Sequence, residues 1–227
     1  MKVKFGAIVV DGSGKLGGHV FTKTKAGNAM RTKTTPVNRR STAQQGVKSK
    51  FTANAQAFRA LTAAQIAAWN VAAQDFKVKN HFGDSVTLSG MALYQRLNSN
   101  IVKAGGTIIA DPPLQVAVPS VDDLVLATCT IAVMTATFKP TPTAATDVII
   151  WEATRPLSAG VSFVKNQFRA IGITAAEGTS PADIYADYVA VFGAPVVGKK
   201  VWLRGTIVND ETGQTGTPAQ ASFVVVE

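Results

Sequence analysis

Two helix starts written into one short stretch constrain this chain more than anything else in its sequence. Ser41 is followed three residues later by Gln44, and Thr62 three residues later by Gln65. Each pair has the form of a capping box, in which two side chains satisfy amides that the first helical turn leaves unbonded. Residues 41–76, STAQQGVKSKFTANAQAFRALTAAQIAAWNVAAQDF, therefore read as two helices. Val47, Phe51, Ala55 and Phe58 recur at spacings of four, four and three, and Ile66, Trp69, Ala73 and Phe76 at three, four and three, which gives each helix one apolar face. Only Leu61 separates the end of the first helix from the cap of the second, so the two should form a tight αα-corner or hairpin with their stripes meeting. Gly46 weakens the first helix by about 1 kcal/mol relative to alanine. The pair carries no catalytic chemistry and reads as a scaffold.

Residues 77–84, KVKNHFGD, form a polar connector. Ser89 then caps a third helix in which Leu93, Leu97 and Ile101 recur every four residues beside Tyr94, and Gly105-Gly106 closes it. The three helices should share one core built on Phe51, Phe58, Trp69, Phe76 and Tyr94, each contributing about 1.5 to 3 kcal/mol on burial. Asp111-Pro112-Pro113 breaks the pattern and marks a domain boundary. His81 and His19 have no Cys, Asp or Glu at ligand spacing, so no metal site and no cofactor is expected.

Charge divides the chain unevenly. The net charge of +9 over 227 residues conceals twelve Lys and Arg against one acid in residues 1–60, and seven against eleven from Asp111 to the end. The first forty residues form a basic arm. Residues 5–10 read as a strand, Asp11-Gly12-Ser13-Gly14 as a turn, and residues 19–25 and 29–35 as two further extended runs, together a small β-meander or hairpin. This segment has few bulky side chains and should order against a partner surface. Fully extended it would reach on the order of 130 Å, enough to bridge neighbouring subunits.

Gly12-Ser13-Gly14-Lys15-Leu16-Gly17 fits G-x-G-x-x-G, but a nucleotide loop must open onto a helix N-terminus, and His19 to Thr24 is a strand pattern. Leu16 also stands where a phosphate loop needs Ser or Thr. The glycines therefore serve turns. The positive arm has three readings: a solvated face, contact with nucleic-acid phosphates, or docking on an acidic protein surface. Only Phe5 and Phe21 are interleaved with the charges, so protein docking ranks above DNA.

From residue 114 the pattern changes. Short β-rich runs at residues 124–133, 135–139, 148–154, 162–170, 200–209 and 221–226 are separated by Pro, Gly and acidic turns. Such spacing argues for an antiparallel sandwich of immunoglobulin or fibronectin type III kind. Val201, Leu203 and Ile207 alternate with Arg204 and Thr206, and Phe223 and Val225 share the pattern. Ser180-Pro181-Ala182-Asp183 opens one short helix with Ile184, Tyr188 and Val191 on one face, ended by Gly193. Trp151 and Trp202 are core or edge residues of the sandwich, and Cys129, the single cysteine, is a small core hydrophobe that excludes an intramolecular disulfide. The carboxylate pairs Asp122-Asp123 and Asp210-Glu211 fall in predicted turns. Neither histidine lies in this half, so no Ser, His and Asp triad can be assembled there and an enzyme is not expected. The first ten residues lack the apolar core of a leader, and no apolar run reaches the eighteen residues needed to span a bilayer, so neither secretion nor membrane insertion is expected. The fold class is thus α+β in three parts: a β-hairpin arm (1–40), a three-helix unit (41–110) and a β-sandwich (111–227).

Several runs resemble small virion structural proteins of tailed bacteriophages. They are GKLGG from Gly14, RTKTTPVN from Arg31, QQGVKSKF from Gln44, LTAAQIAAW from Leu61 and LSGMALYQRLNSN from Leu88. RPLSAGVSF from Arg155, YVAVFG from Tyr188 and TGQTGTP from Thr212 are similar to immunoglobulin-like modules of phage and Bacteroidetes-associated proteins. Among such families the chain most resembles the auxiliary capsid proteins of crAss-like phages. That resemblance implies a non-enzymatic role in the virion, after synthesis in the host cytoplasm, with the major capsid protein and other virion proteins as partners. Lys15, Lys23, Lys25, Arg31, Lys33, Arg39 and Arg40 would make the charged contacts, and Phe5 and Phe21 would be apolar anchors. DNA would be a second partner for the arm, whereas a membrane or a small-molecule ligand is not expected. The alternatives are a packaged nucleic-acid-binding protein, a tail, neck or head-fibre adaptor, and, on fold analogy alone, a glycan-binding module.

Overall fold

The computed structural model describes residues 2–4, 12–25, 27–34, 37, 38, 40–80, 82–141 and 143–227. The protein is mixed α+β, as the sequence leads one to expect, and divides into two compact units. The first comprises Met1–Gln95 with Ala110–Pro113, the second Arg96–Ile109 with Leu114–Glu227. The cut falls inside the third helix rather than at residue 111. Asp111-Pro112-Pro113 lies inside residues 105–121, which are neither helix nor strand, and side chains of the preceding helices hold the backbone just before it. Trp69 Nε1 donates to Ala110 O at 2.7 Å, and Asn98 exchanges two hydrogen bonds with Ile109, donating to its O at 3.3 Å and accepting from its N at 2.8 Å.

In the first unit, β1 (Lys2–Val3), β2 (Gly14–Leu16), β3 (His19–Thr24) and β4 (Gly27–Thr32) form an antiparallel sheet in the order β1-β4-β3-β2. Gly17, with φ +54°, and Gly18 turn the chain between β2 and β3, so the glycine motif lies in a hairpin. The strand expected over residues 5–10 lies outside the described residues. Helix α1 (Thr42–Arg59) starts at Ser41, whose Oγ accepts from Gln44 N at 3.3 Å. Among the described residues Gln44 Oε1 finds no hydrogen-bond partner, so only half of that capping box forms there. At α2 (Ala63–Ala72) both halves form: Gln65 N donates to Thr62 Oγ1 at 3.3 Å and Thr62 N to Gln65 Oε1 at 3.1 Å.

Where the sequence suggested only a polar connector, β5 (Lys77–Lys79) and β6 (Ser85–Thr87) pair as a small hairpin, with Val78 opposite Val86. Three-residue strands are too short to show a period. Helix α3 (Gly90–Ala104) is capped by Ser89, and Gly105, at φ +88°, lets Gly106 N donate to Ile101 O at 2.9 Å, closing the helix end. The buried Tyr94 ring meets Phe58 at 5.2 Å and Trp69 at 5.1 Å, both edge to face. Ala73 and Phe76 are buried with them. One expectation is corrected here: Val47 and Phe51 are 70% and 57% exposed. Helix α1 has eighteen residues and α2 ten, so at about 1.5 Å per residue α2 is too short to cover the first half of its neighbour.

In the second unit the chain continues through β7 (Asp122–Cys129), β8 (Met134–Lys139), β9 (Asp147–Ala153), β10 (Leu157–Ser158), β11 (Arg169–Thr174), β12 (Ala182–Asp183), α4 (Tyr185–Phe192), β13 (Lys199–Asn209) and β14 (Ala219–Val224). Strand β13 pairs with β9, with β14 and, at its first two residues, with β10, while β11 pairs with β9. A second antiparallel sheet has the order β12-β8-β7. Leu126, Met134 and Phe138 from the smaller sheet share one core with Ile149, Trp151, Leu203 and Ile207 from the larger, and Tyr188 of α4 joins them. Val201, Leu203 and Ile207 are buried while Arg204 and Thr206 are partly exposed, as their alternation implies.

Three local expectations are corrected. Regular pairing around residues 162–170 begins only at Arg169, because the polar Lys165-Asn166 pair bends the chain in place of a strand. Asp122 and Asp123 lie in β7, not in a turn, and Asp123 binds Lys139 Nζ at 2.8 Å across the strand pair. Helix α4 begins at Tyr185 because Ala182–Asp183 pairs with β8, and Asp183 Oδ1 accepts from Tyr185 N at 2.9 Å.

A second amide repeats what Asn98 does. Gln214 Nε2 donates to Leu114 O at 2.6 Å and its Oε1 accepts from Val116 N at 2.8 Å. In each case a side chain stands where a neighbouring strand would otherwise exchange the bonds.

Burial pushes the Cys129 thiol up to about 11 and raises Tyr188 further, the charge of Cys129 adding to burial there. Both folded-state values lie above the unfolded ones. The stability that Cys129 confers is therefore complete below about pH 9 and is lost as pH rises toward 11, about 2 to 3 kcal/mol, whereas that of Tyr188 is complete below about pH 10 and is lost only above it. Urea midpoints measured between pH 8 and 11 should fall steeply for the wild type and less steeply for Cys129→Ala. Parallel slopes would contradict this account.

Candidate docking surface

The register of the first sheet decides how the basic residues of the arm are arranged. Lys15 lies opposite Val20, which lies opposite Arg31, so these three share one face. Lys2 lies opposite Ala29 and joins the same face by the period of two. Lys33 N donates to Gly18 O at 2.8 Å, which extends the ladder by one pair and keeps Lys33 on the side of Arg31. Lys15, Arg31 and Lys33 are exposed and Lys2 is partly buried. The face thus carries four cations, with Lys15 and Arg31 two strand spacings, or about 10 Å, apart. Sequence alone does not put Lys2 on this face; only the pairing of β1 with β4 does.

The opposite face holds Leu16, His19, Phe21, Lys23 and Met30. Phe21 is partly buried there, so the sheet does not bring this apolar anchor together with Lys15 and Arg31. Lys25 is exposed in the turn between β3 and β4. Arg40, at φ +49°, directs its N–H to Asn38 Oδ1 at 3.2 Å, and its carbonyl accepts from Gln45 Nε2 at 3.3 Å at the start of α1. Phe5, Arg39 and His81 lie outside the described residues.

Residues 12–74 contain no Asp or Glu. Asp84, beyond that stretch, is engaged by Lys4 at 3.1 Å. Hydrogen bonding from Asn80, then from Lys4, holds its carboxyl below the usual range. Cations about 10 Å apart lie just beyond the Debye length of about 8 Å at physiological ionic strength, so they repel one another only weakly there and more strongly at low salt, and an anionic surface laid on this face meets several of them at once. The chemistry available is attraction of carboxylates or phosphates.

Elsewhere, Trp202 and Phe168 could be taken for a sugar platform. Lys200 Nζ lies 5.9 Å from the centre of the Trp202 ring, and the Arg204 guanidinium, paired with Glu152, lies 4.6 Å from that of Phe168. Each ring already carries a cation of this chain. Among the described residues, no group of three or more His, Cys, Asp or Glu could hold a metal ion, and no helix is long and apolar enough to cross a membrane. No family model, curated protein or solved structure matches the chain.

Proposed function

We propose that this chain is a non-enzymatic auxiliary capsid protein of a tailed-phage virion. It docks through its basic arm on acidic surface of the major capsid protein and bridges neighbouring capsomers. The observation that carries the reading is the sheet of β1 to β4, which gathers Lys2, Lys15, Arg31 and Lys33 on one face, the last three from residues 12–74, which contain no carboxylate. A shell expanded by packed DNA is stabilised by added contacts across its seams, and a charged strap supplies them with fast encounter and fixed register. We read the second unit as an immunoglobulin or fibronectin type III-like sandwich displayed outward. The strand orders β12-β8-β7 and β14-β13-β9-β11 support that reading, since they follow the two-sheet division of such modules.

The test uses shells assembled from an acidic phage capsid protein, with short duplex DNA as competitor. Wild-type protein should sediment with shells. The combined variant Lys15→Glu, Arg31→Glu and Lys33→Glu should lose about a hundredfold in affinity, roughly 1 kcal/mol for each reversed contact. Undiminished shell occupancy by that variant would count against the proposal. Tight duplex binding that collapses between low and moderate salt, with no shell binding, would favour the packaged nucleic-acid-binding reading instead.

A further inference from the structure

Helix α1 presents an apolar stripe that its own unit covers only in part. Val47 and Phe51 are exposed, whereas Ala55 and Phe58, further along the same stripe, are buried. At about 100° per residue, Lys50 and Lys48 lie about 80° to either side of the line midway between Val47 and Phe51. Both lysines are exposed, and α1 contains no carboxylate to neutralise them. The open stripe is therefore rimmed by positive charge on both sides. A second α1 laid against it would set lysine against lysine, which disfavours a copy of the same helix as the occupant.

We propose that the first half of α1 is a docking face for an acidic amphipathic helix of another protein. The apolar residues of that helix, spaced by four, cover Val47 and Phe51, and its flanking Asp or Glu residues pair with Lys48 and Lys50. This is the arrangement by which helices pack apolar seams and select partners through flanking charges. The stripe is short, so its rim sets specificity more than strength. The proposal stands on α1 alone and does not rest on the capsid reading, whose test reverses charges on the sheet.

The full chain is titrated, by fluorescence anisotropy, against two synthetic helical peptides with identical leucine spacing, one flanked by Glu and the other by Lys. The Glu-flanked peptide should bind about tenfold tighter than the Lys-flanked one. Phe51→Ser should weaken it about tenfold, and Lys48→Glu with Lys50→Glu should invert the preference. All three side chains are exposed, so unchanged melting curves are expected for these variants. Equal binding of the two peptides, or an affinity indifferent to Phe51→Ser, overturns the proposal. So does duplex DNA binding that depends on Lys48 and Lys50 but not on Phe51. A dimer of the chain alone that Phe51→Ser dissolves overturns it too, by making the occupant a second copy.

Discussion

Trp69→Ala is expected to destabilise the first unit by about 3 to 5 kcal/mol, the cost of removing the largest side chain from a packed interior. Trp69 is fully buried, and its ring stands edge-on to Tyr94 at 5.1 Å. Its Nε1 is also the donor to Ala110 O at 2.7 Å, so alanine leaves that carbonyl without its bond. Trp69→Phe should fall between wild type and alanine, because it keeps most of the ring and loses the donor. Urea unfolding followed by circular dichroism at the helix band reads both variants. A loss under about 1 kcal/mol for alanine would mean that the helical core does not depend on this ring.

Gly213→Ala is expected to cost the second unit about 3 kcal/mol or more, by two separate effects. Gly213 has φ +69°, a conformation that charges alanine about 1 kcal/mol. In addition, its Cβ would lie 2.2 Å from Leu97 O and 2.7 Å from Leu97 C, backbone atoms of α3 that no rotamer change can withdraw. Gly198→Ala is the control. Gly198 has φ +75° with no atom within 4 Å of the added carbon, so it isolates the conformational part. The difference in unfolding free energy between the two variants measures how closely the turn after β13 approaches the helix. Equal losses would refute that close approach.

Legibility in the sequence followed the length of each signal. The caps at Ser41, Thr62 and Ser89, the closing glycine at 105 and the alternation along β13 are local chemistry, and each produces the element it announces. The hairpin of β5 and β6 was hidden because three residues show no period. The exposure of Val47 and Phe51 was hidden for a different reason: periodicity marks a face as apolar, but only the length of the neighbouring helix decides how much of it is covered. The basic arm was legible as charge and not as a surface. Register alone places Lys15, Arg31 and Lys33 together, sends Lys23 to the other side and adds Lys2. Likewise, the sequence could not show that Asn98 and Gln214 take the place of strand partners, since a buried amide and a solvated one are the same letter.

Those two amides also give the molecule a way to age. Loss of ammonia from Asn98 or Gln214 would turn the nitrogen that now donates to Ile109 O or Leu114 O into an oxygen facing another oxygen. One hydrolysed bond, with no break in the chain and hardly any change in mass, would release a backbone segment that lies in neither helix nor strand. In long-stored protein, damage would therefore begin as lost protection of the Ile109 and Val116 amides against deuterium exchange, well before either sheet loosens.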